Sequence, residues 1–215
     1  DCVTPIVLSQ DSNTKVYLGG NRLFTTRDGG ISWQRTDDLT KNINRDSLEI
    51  MGVLGADIKL SKNDGTSTFG EIISISESPI TKKEVWIGTD DGNVQLTRDD
   101  GRTWAEVSQN ILGLPENAYV SRVLASRQGR GHAYVTFDRH REGDWSPYVY
   151  KTEDFGKNWK SLSADLPSGS INVIVEHPDN HDLLFIGTEH AVFVSLNSGI
   201  DWQKVTSNLP TTLYD

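Results

Sequence analysis

Thr97-Arg98-Asp99-Asp100-Gly101-Arg102-Thr103-Trp104 is one of four copies of an eight-residue box, Ser/Thr-x-Asp-x-Gly-x-x-Trp. The first copy is Thr26-Arg27-Asp28-Gly29-Gly30-Ile31-Ser32-Trp33, and the third is Thr152-Glu153-Asp154-Phe155-Gly156-Lys157-Asn158-Trp159. The fourth, Ser195-Leu196-Asn197-Ser198-Gly199-Ile200-Asp201-Trp202, has Asn where the others have Asp. The Asp/Asn positions lie 71, 55 and 43 residues apart, so one unit recurs with loops of varying length. A repeat of roughly 40–50 residues built from short strands points to a solenoid or a propeller.

The box has a mechanical reading. An Asp or Asn in a tight hairpin turns its side-chain oxygen onto backbone N–H groups just ahead and so builds the turn. The Gly two positions later supplies a φ > 0 conformation. The Trp then returns to the hydrophobic layer, where burying its ring is worth roughly 2–3 kcal/mol. Asn197 accepts the same bonds, so the boxes read as structural staples through Thr26, Asp28, Gly30 and Trp33 and their counterparts in each copy.

Aligned on the boxes, the rest of the chain falls into columns. An alternating strand precedes each box: Arg22–Thr25, Asn93–Leu96, Tyr148–Lys151 and Ala191–Val194. Before it comes another, at Lys15–Gly19, Glu84–Gly88, His132–Thr136 and Leu183–Gly187. A more apolar strand opens each unit, at Pro5–Ser9, Ile72–Ser76, Ser121–Ala125 and Asn172–Val175, and a last strand starts at each box Trp. Turn residues such as Asp11-Ser12-Asn13 and His177-Pro178-Asp179-Asn180 separate the first two. The expectation is an all-β β-propeller of four tandem four-stranded blades, at 3–37, 71–110, 119–165 and 170–208. Residues 37–70 interrupt the rhythm as an insertion, with one short helical turn expected over Asp46–Met51 and a flexible run over Ser61–Thr68.

Composition narrows the partners. Twenty-one Lys and Arg against 30 Asp and Glu give a net charge of −9 over 215 residues. That balance opposes binding to a phosphate backbone or an anionic membrane. No stretch reaches the ~18 apolar residues of a membrane span, and no signal peptide is present. Cys2 is the only cysteine, which excludes an internal disulfide. His177, His181 and His190 lack ligand spacing, and Asp90-Asp91-Gly92 lacks the later ligands of a calcium loop, so neither metal nor cofactor is expected.

The boxes resemble the Asp-box, or bacterial neuraminidase repeat, of sialidases, sortilin-type ectodomains and xyloglucan-active glycoside hydrolases. Ile75-Ser76-Glu77-Ser78-Pro79 with Trp86–Gly92, Tyr134–Asp138 with Tyr148–Thr152, and Ile186–His190 with Val192–Ser195 are most similar to bacterial sortilin-like propellers described as glycosyl hydrolases. The resemblance spans nearly the whole chain and is specific for fold, because such boxes occur in enzymes and receptors alike. Family members have more blades, and Leu209–Asp215 looks like the lead into another one, so the chain is expected to be part of a larger ring. A sialidase proper would carry an Arg-Ile-Pro near its start, which is absent.

Chemistry is expected on the face opposite the boxes. There Asn21, Asp90, Asp138 and Glu189 occupy equivalent positions, and the three carboxylates are candidate acid, base or nucleophile for glycoside hydrolysis. Gly88-Thr89-Asp90 is similar to a loop bearing a catalytic Asp in the xyloglucan-active enzymes. The alternative is that these side chains cap strand ends. The loop Asp138–Pro147 offers a binding candidate in Arg139, His140, Arg141 and Trp145: the indole either stacks on a sugar or tucks against its own loop. The resemblance implies first a noncatalytic ligand- or protein-binding module of a secreted, periplasmic or cell-surface protein. The second reading is a polysaccharide-active glycoside hydrolase. Unpaired end blades further suggest a homodimer.

Overall fold

A computed structural model describes residues 4–50, 52–58 and 70–206. The chain is all-β, with four four-stranded antiparallel sheets laid down in sequence order. Blade 1 comprises β1 (Ile6–Leu8), β2 (Val16–Gly19), β3 (Leu23–Thr26) and β4 (Gln34–Arg35). The insertion contributes β5 (Glu49–Ile50) and β6 (Val53–Leu54). Blade 2 is β7 (Ile72–Glu77), β8 (Val85–Thr89), β9 (Val94–Thr97) and β10 (Ala105–Glu106). Blade 3 is β11 (Tyr119–Ala125), β12 (Ala133–Arg139), β13 (Asp144–Thr152) and β14 (Lys160–Ser161). Blade 4 is β15 (Ile171–Glu176), β16 (Leu184–Thr188), β17 (Val192–Ser195) and β18 (Gln203–Lys204). The outer strand starts one residue after each box Trp rather than at it.

Every box builds the same turn. The Ser/Thr hydroxyl accepts the Gly N–H at 2.9, 2.9, 3.0 and 2.8 Å from the first to the fourth copy. It also donates to the Asp or Asn oxygen at 2.8–3.0 Å. That oxygen takes the N–H of the residue before the Trp at 2.9 Å in all four copies. Two successive residues have positive φ, as at Asp100 (67°) and Gly101 (87°), the sign pattern of the two central residues of a type I′ turn set within the longer box loop. Glycine is therefore needed at only one of the two positions; Asp100, Phe155 and Ser198 enter the left-handed region at the other.

Blades pack face to face through buried strand residues. Ile75, Val123 and Ile174 hold one repeat position on the innermost strand, and each is under 9% exposed. One polar contact recurs between blades. Tyr17 of blade 1 donates its hydroxyl to Glu77 of blade 2 at 2.8 Å, and Tyr134 of blade 3 donates to Glu176 of blade 4 at 3.1 Å. Between blades 2 and 3 the same two positions hold Trp86 and Ala125, a large and a small apolar residue. Close approach there is strict, since a Cβ on Gly88 would lie 2.2 Å from Val120 Cγ1.

Two expectations need correction. Trp33 does not enter a core: it is 46% exposed, whereas Trp202 is 7% exposed. The reason is that a box Trp packs against the blade before its own. Trp159 Nε1 donates to Val107 O of blade 2 (3.2 Å) and Trp202 Nε1 to Leu162 O of blade 3 (2.8 Å), and among the described residues no blade precedes Trp33. The insertion is also more ordered than one helical turn. A 3-10 turn at Arg45–Ser47, capped by Asn44 Oδ1, leads into the β5–β6 hairpin and a second turn at Gly55–Asp57. The pair of short strands wins because Gly52 takes φ = 78° at the bend. Met51, Ser61–Thr68, Cys2 and Leu209–Asp215 lie outside the described residues.

Candidate functional site

Strand register places the candidate carboxylates at one end of the sheets. Thr89, Phe137 and Thr188 pair with Ile72, Val120 and Ile171 at the start of each innermost strand. Asp90, Asp138 and Glu189 are the next residues along, with Asn21 in the same position of blade 1. This end is opposite the boxes, as expected, because each box turn bonds the hairpin between the first two strands: Gly29 N to Thr14 O, Asp100 N to Lys83 O, Phe155 N to Gly131 O and Ser198 N to Asp182 O.

The four equivalent residues do different things. Asn21 Nδ2 donates to Asp38 at 2.8 Å. Asp90 exchanges bonds with Glu71: its Oδ1 accepts Glu71 N at 2.6 Å while its own N–H donates to Glu71 O at 3.0 Å. Burial raises its pKa to about 6, aided by the charge of Asp91 and opposed by the Glu71 and Gly70 N–H groups and the charge of Arg45. Asp91 is fully buried. It is held by Thr89 Oγ1 at 2.5 Å and Lys41 N at 2.6 Å, and burial raises its pKa too. Asp138 accepts His140 N at 2.8 Å and contacts His140 Nδ1 at 2.5 Å. Glu189 lies 3.6 Å from His190 Nε2.

The loop after Asp138 is largely strand, which corrects the reading of 138–147 as a loop. β12 runs on to Arg139, a 3-10 turn spans His140–Glu142, and β13 resumes at Asp144. Gly143 at φ = 73° makes the reversal possible. The result is a braced hairpin. Arg139 lies 3.8 Å from Asp144 and 3.9 Å from Glu142, and Tyr148 donates its hydroxyl to Asp144 at 2.7 Å. Trp145 is 44% exposed and sits over His140, ring centroids 5.9 Å apart with planes at 35°. Its carbonyl takes Gly169 N at 2.7 Å and Ser168 Oγ at 3.1 Å, which fixes its backbone to the following blade connection. Asp138, Arg139, His140 and Trp145 are thus brought together, while Arg141 turns toward the Tyr119 ring at 5.8 Å.

Residues outside the expected set shape this end as well. Arg45, from the insertion, acts on the charge of Asp90. The β5 strand approaches the His140–Glu142 turn to within 8 Å between Cα atoms, so the insertion reaches across to blade 3. No sequence signal gives the path of the insertion. The role of Tyr148 had one: Asp144, Ser146 and Tyr148 alternate, and residues at i, i+2 and i+4 of a strand share a face.

No protein-family model matches the chain. Among curated proteins, it is 27% identical over 165 residues to an oligoxyloglucan-reducing end-specific xyloglucanase of Emericella nidulans, covering 73% of this chain and 17% of that protein. Among solved structures, it is similar to an ancestral GH74 enzyme at 15% identity and a TM-score of 0.67, covering 95% of this chain and 24% of that one. A GH74 xyloglucanase from Xanthomonas campestris superposes with a TM-score of 0.63 at 14% identity, over 94% of this chain and 30% of its own. Those structures show the fold. The chain is a β-propeller similar to glycoside hydrolases, and it spans less than a third of the length of each of these proteins.

Proposed function

We propose that the end opposite the boxes is a glycan-binding surface centred on Asp138, Arg139, His140 and Trp145, with xyloglucan-type oligosaccharides as its ligand class. The observation that carries this reading is the tilted Trp145–His140 ring pair, with the indole 44% exposed and the imidazole held by Asp138. Sugar rings present apolar C–H faces and hydroxyl rims, so an aromatic plane beside oriented charged groups suits them. The role of Asp90 here is structural: its carboxylate ties the end of β8 to Glu71. Such a surface belongs to a protein that meets its glycan outside the cytoplasm, in secreted, periplasmic or cell-surface form.

A second reading, hydrolysis, rests on one observation. A carboxyl with a pKa of about 6 is suited to protonating a glycosidic oxygen, with Asp138 or Glu189 as its partner. Calorimetric titration with xyloglucan oligosaccharides separates the two readings when run beside a reducing-sugar assay. Binding without sugar release, lost at least about ten-fold in Trp145→Ala and retained in Asp90→Asn, is the expected result. Turnover in the parent that vanishes in Asp90→Asn would establish hydrolysis instead. Equal binding by the parent and Trp145→Ala would overturn the platform.

A further inference from the structure

The second and fourth residues of the box carry a contact between blades, and the repeat breaks it at one place. Between blades 1 and 2, Arg27 Nη2 pairs with Asp100 Oδ2 at 2.7 Å, and Lys15 Nζ holds the other oxygen at 2.7 Å. Between blades 2 and 3 the same two box positions hold Arg98 and Phe155. The arginine is kept and its carboxylate gives way to a ring. The Arg98 guanidinium lies over Phe155, 4.0 Å from the ring centroid, and pairs with no carboxylate among the described residues. Between blades 3 and 4 the positions hold Glu153 and Ser198, and both are satisfied: Glu153 pairs with Lys151 at 2.7 Å, and Ser198 Oγ donates to Asp182 at 2.7 Å.

A groove of about 320 Å³ opens beside Arg98, between the outer strand of blade 2 and the third box. Its walls are apolar, from Leu96, Trp104, Val107 and Phe155. Its floor is fixed: Asn110 Nδ2 donates to Gly156 O at 2.8 Å, Trp159 Nε1 donates to Val107 O at 3.2 Å, and a Cβ on Gly156 would lie 2.7 Å from Val107 Cβ. Lys157 brings a second cation to the rim, and the one carboxylate lining it, Glu106, accepts Ser108 Oγ at 3.1 Å. The rim is thus net positive in a chain of net charge −9. Every lining residue belongs to blades 2 and 3, in the interior of the sequence.

We propose that this groove binds a small aromatic carboxylate, its flat body against Trp104 and Phe155 and its carboxylate on the Arg98 guanidinium, in the role that Asp100 fills for Arg27. A guanidinium stacked by its face on a ring keeps its edge N–H groups for a carboxylate, which it takes in two parallel bonds. A groove at the small end of ligand sites limits the body to one or two rings. The groove lies at the box end, opposite the glycan surface, and does not depend on that reading.

Calorimetric titration of the full chain with naphthoate tests it, beside the neutral naphthamide. The parent should take up one equivalent of naphthoate with a Kd on the order of 0.1 mM, and the amide about ten-fold more weakly. Arg98→Gln removes the partner of the anion and should weaken naphthoate about ten-fold. Phe155→Asp rebuilds the Arg27–Asp100 pair within the chain and should weaken it at least as much. Asp100 already adopts φ = 67°, close to the 64° of Phe155, so the backbone accepts the change. Circular dichroism melts check that both variants fold; Arg98→Gln, which alters an exposed side chain, decides the matter if Phe155→Asp does not. No saturable uptake by the parent, equal affinity for the amide, or Arg98→Gln binding as tightly as the parent overturns the site. So does competition by xyloglucan oligosaccharides, which would place the anion at the other end.

Discussion

Replacing Glu176 by Ala isolates the polar half of the rule that joins the blades. Its two oxygens accept Ser126 Oγ at 2.8 and 3.0 Å, Arg127 N at 2.8 Å and Tyr134 OH at 3.1 Å. Both Ser126 and Tyr134 are about 1% exposed, so water cannot replace the lost acceptor without entering the interface. Three donors are orphaned at about 1 kcal/mol or more each, and a cavity is added, so the variant should lose about 3–5 kcal/mol. For a chain of this size that is a fall in Tm of roughly 10 °C. Tyr134→Phe removes one donor and leaves Glu176 its other partners, and should cost only about 1 kcal/mol. Urea unfolding followed by tryptophan fluorescence reads all three variants. In the double variant the Tyr134 hydroxyl is no longer stranded, so the cycle should show a coupling of about 1 kcal/mol. A loss below about 1 kcal/mol for Glu176→Ala would refute the reasoning, because the carboxylate would not then be satisfying buried donors.

Three further outcomes follow from the same geometry. Asn197→Asp sets a second carboxylate against Asp201, which now accepts Asn197 Nδ2 at 2.8 Å; it should cost about 1 kcal/mol in a urea melt, and adding Asp201→Ser, which copies the Asp28–Ser32 pair, should recover most of it. Trp202→Ala should cost about 3–5 kcal/mol and Trp33→Ala under about 1 kcal/mol when both are melted at a dilution that keeps the chain monomeric. Acid acts in two directions. Hydrogen bonds from Ser32 and Thr103 hold the Asp28 and Asp99 carboxyls at about 2, below the usual 3.8, so their contribution is complete above pH 4 and disappears as pH falls toward 2. Asp90, raised to about 6, costs stability above pH 6 and ceases to between pH 6 and 4, so the difference between the parent and Asp90→Asn, followed by urea midpoint, should shrink over that window.

The fold was legible because the box is a local device. Its bonds run between Thr97, Asp99, Gly101 and Thr103, within seven residues of chain, so side-chain chemistry and spacing suffice to read it. The same locality explains the error at Trp33, whose environment is supplied by a neighbouring blade and not by its own hairpin. The geometry of the candidate site was legible only in part. Asp138, His140 and Trp145 are close in sequence and meet in space, whereas the effect of Arg45 on Asp90 depends on the route of the insertion, which no periodicity encodes.

What varies between repeats varies in pairs, and that is a physical constraint on where function can sit. Tyr with Glu gives way to Trp with Ala across one blade interface, and Asp with Ser, Thr or Asn gives way to Asn with Asp within one box. Each exchange keeps volume or donor–acceptor complementarity, as a buried contact requires. The residues equivalent to Asn21 follow no such pairing. Asp90 is tied to the Glu71 backbone and Asp138 to the His140 ring, while Glu189 lies 3.6 Å from His190, so the contact differs from blade to blade. Positions released from the repeat's own packing rules can take on blade-specific chemistry at little cost to the fold. That freedom supports the glycan surface proposed at the end of the sheets opposite the boxes, where the blade 3 hairpin, with its exposed Trp145, departs furthest from the common pattern.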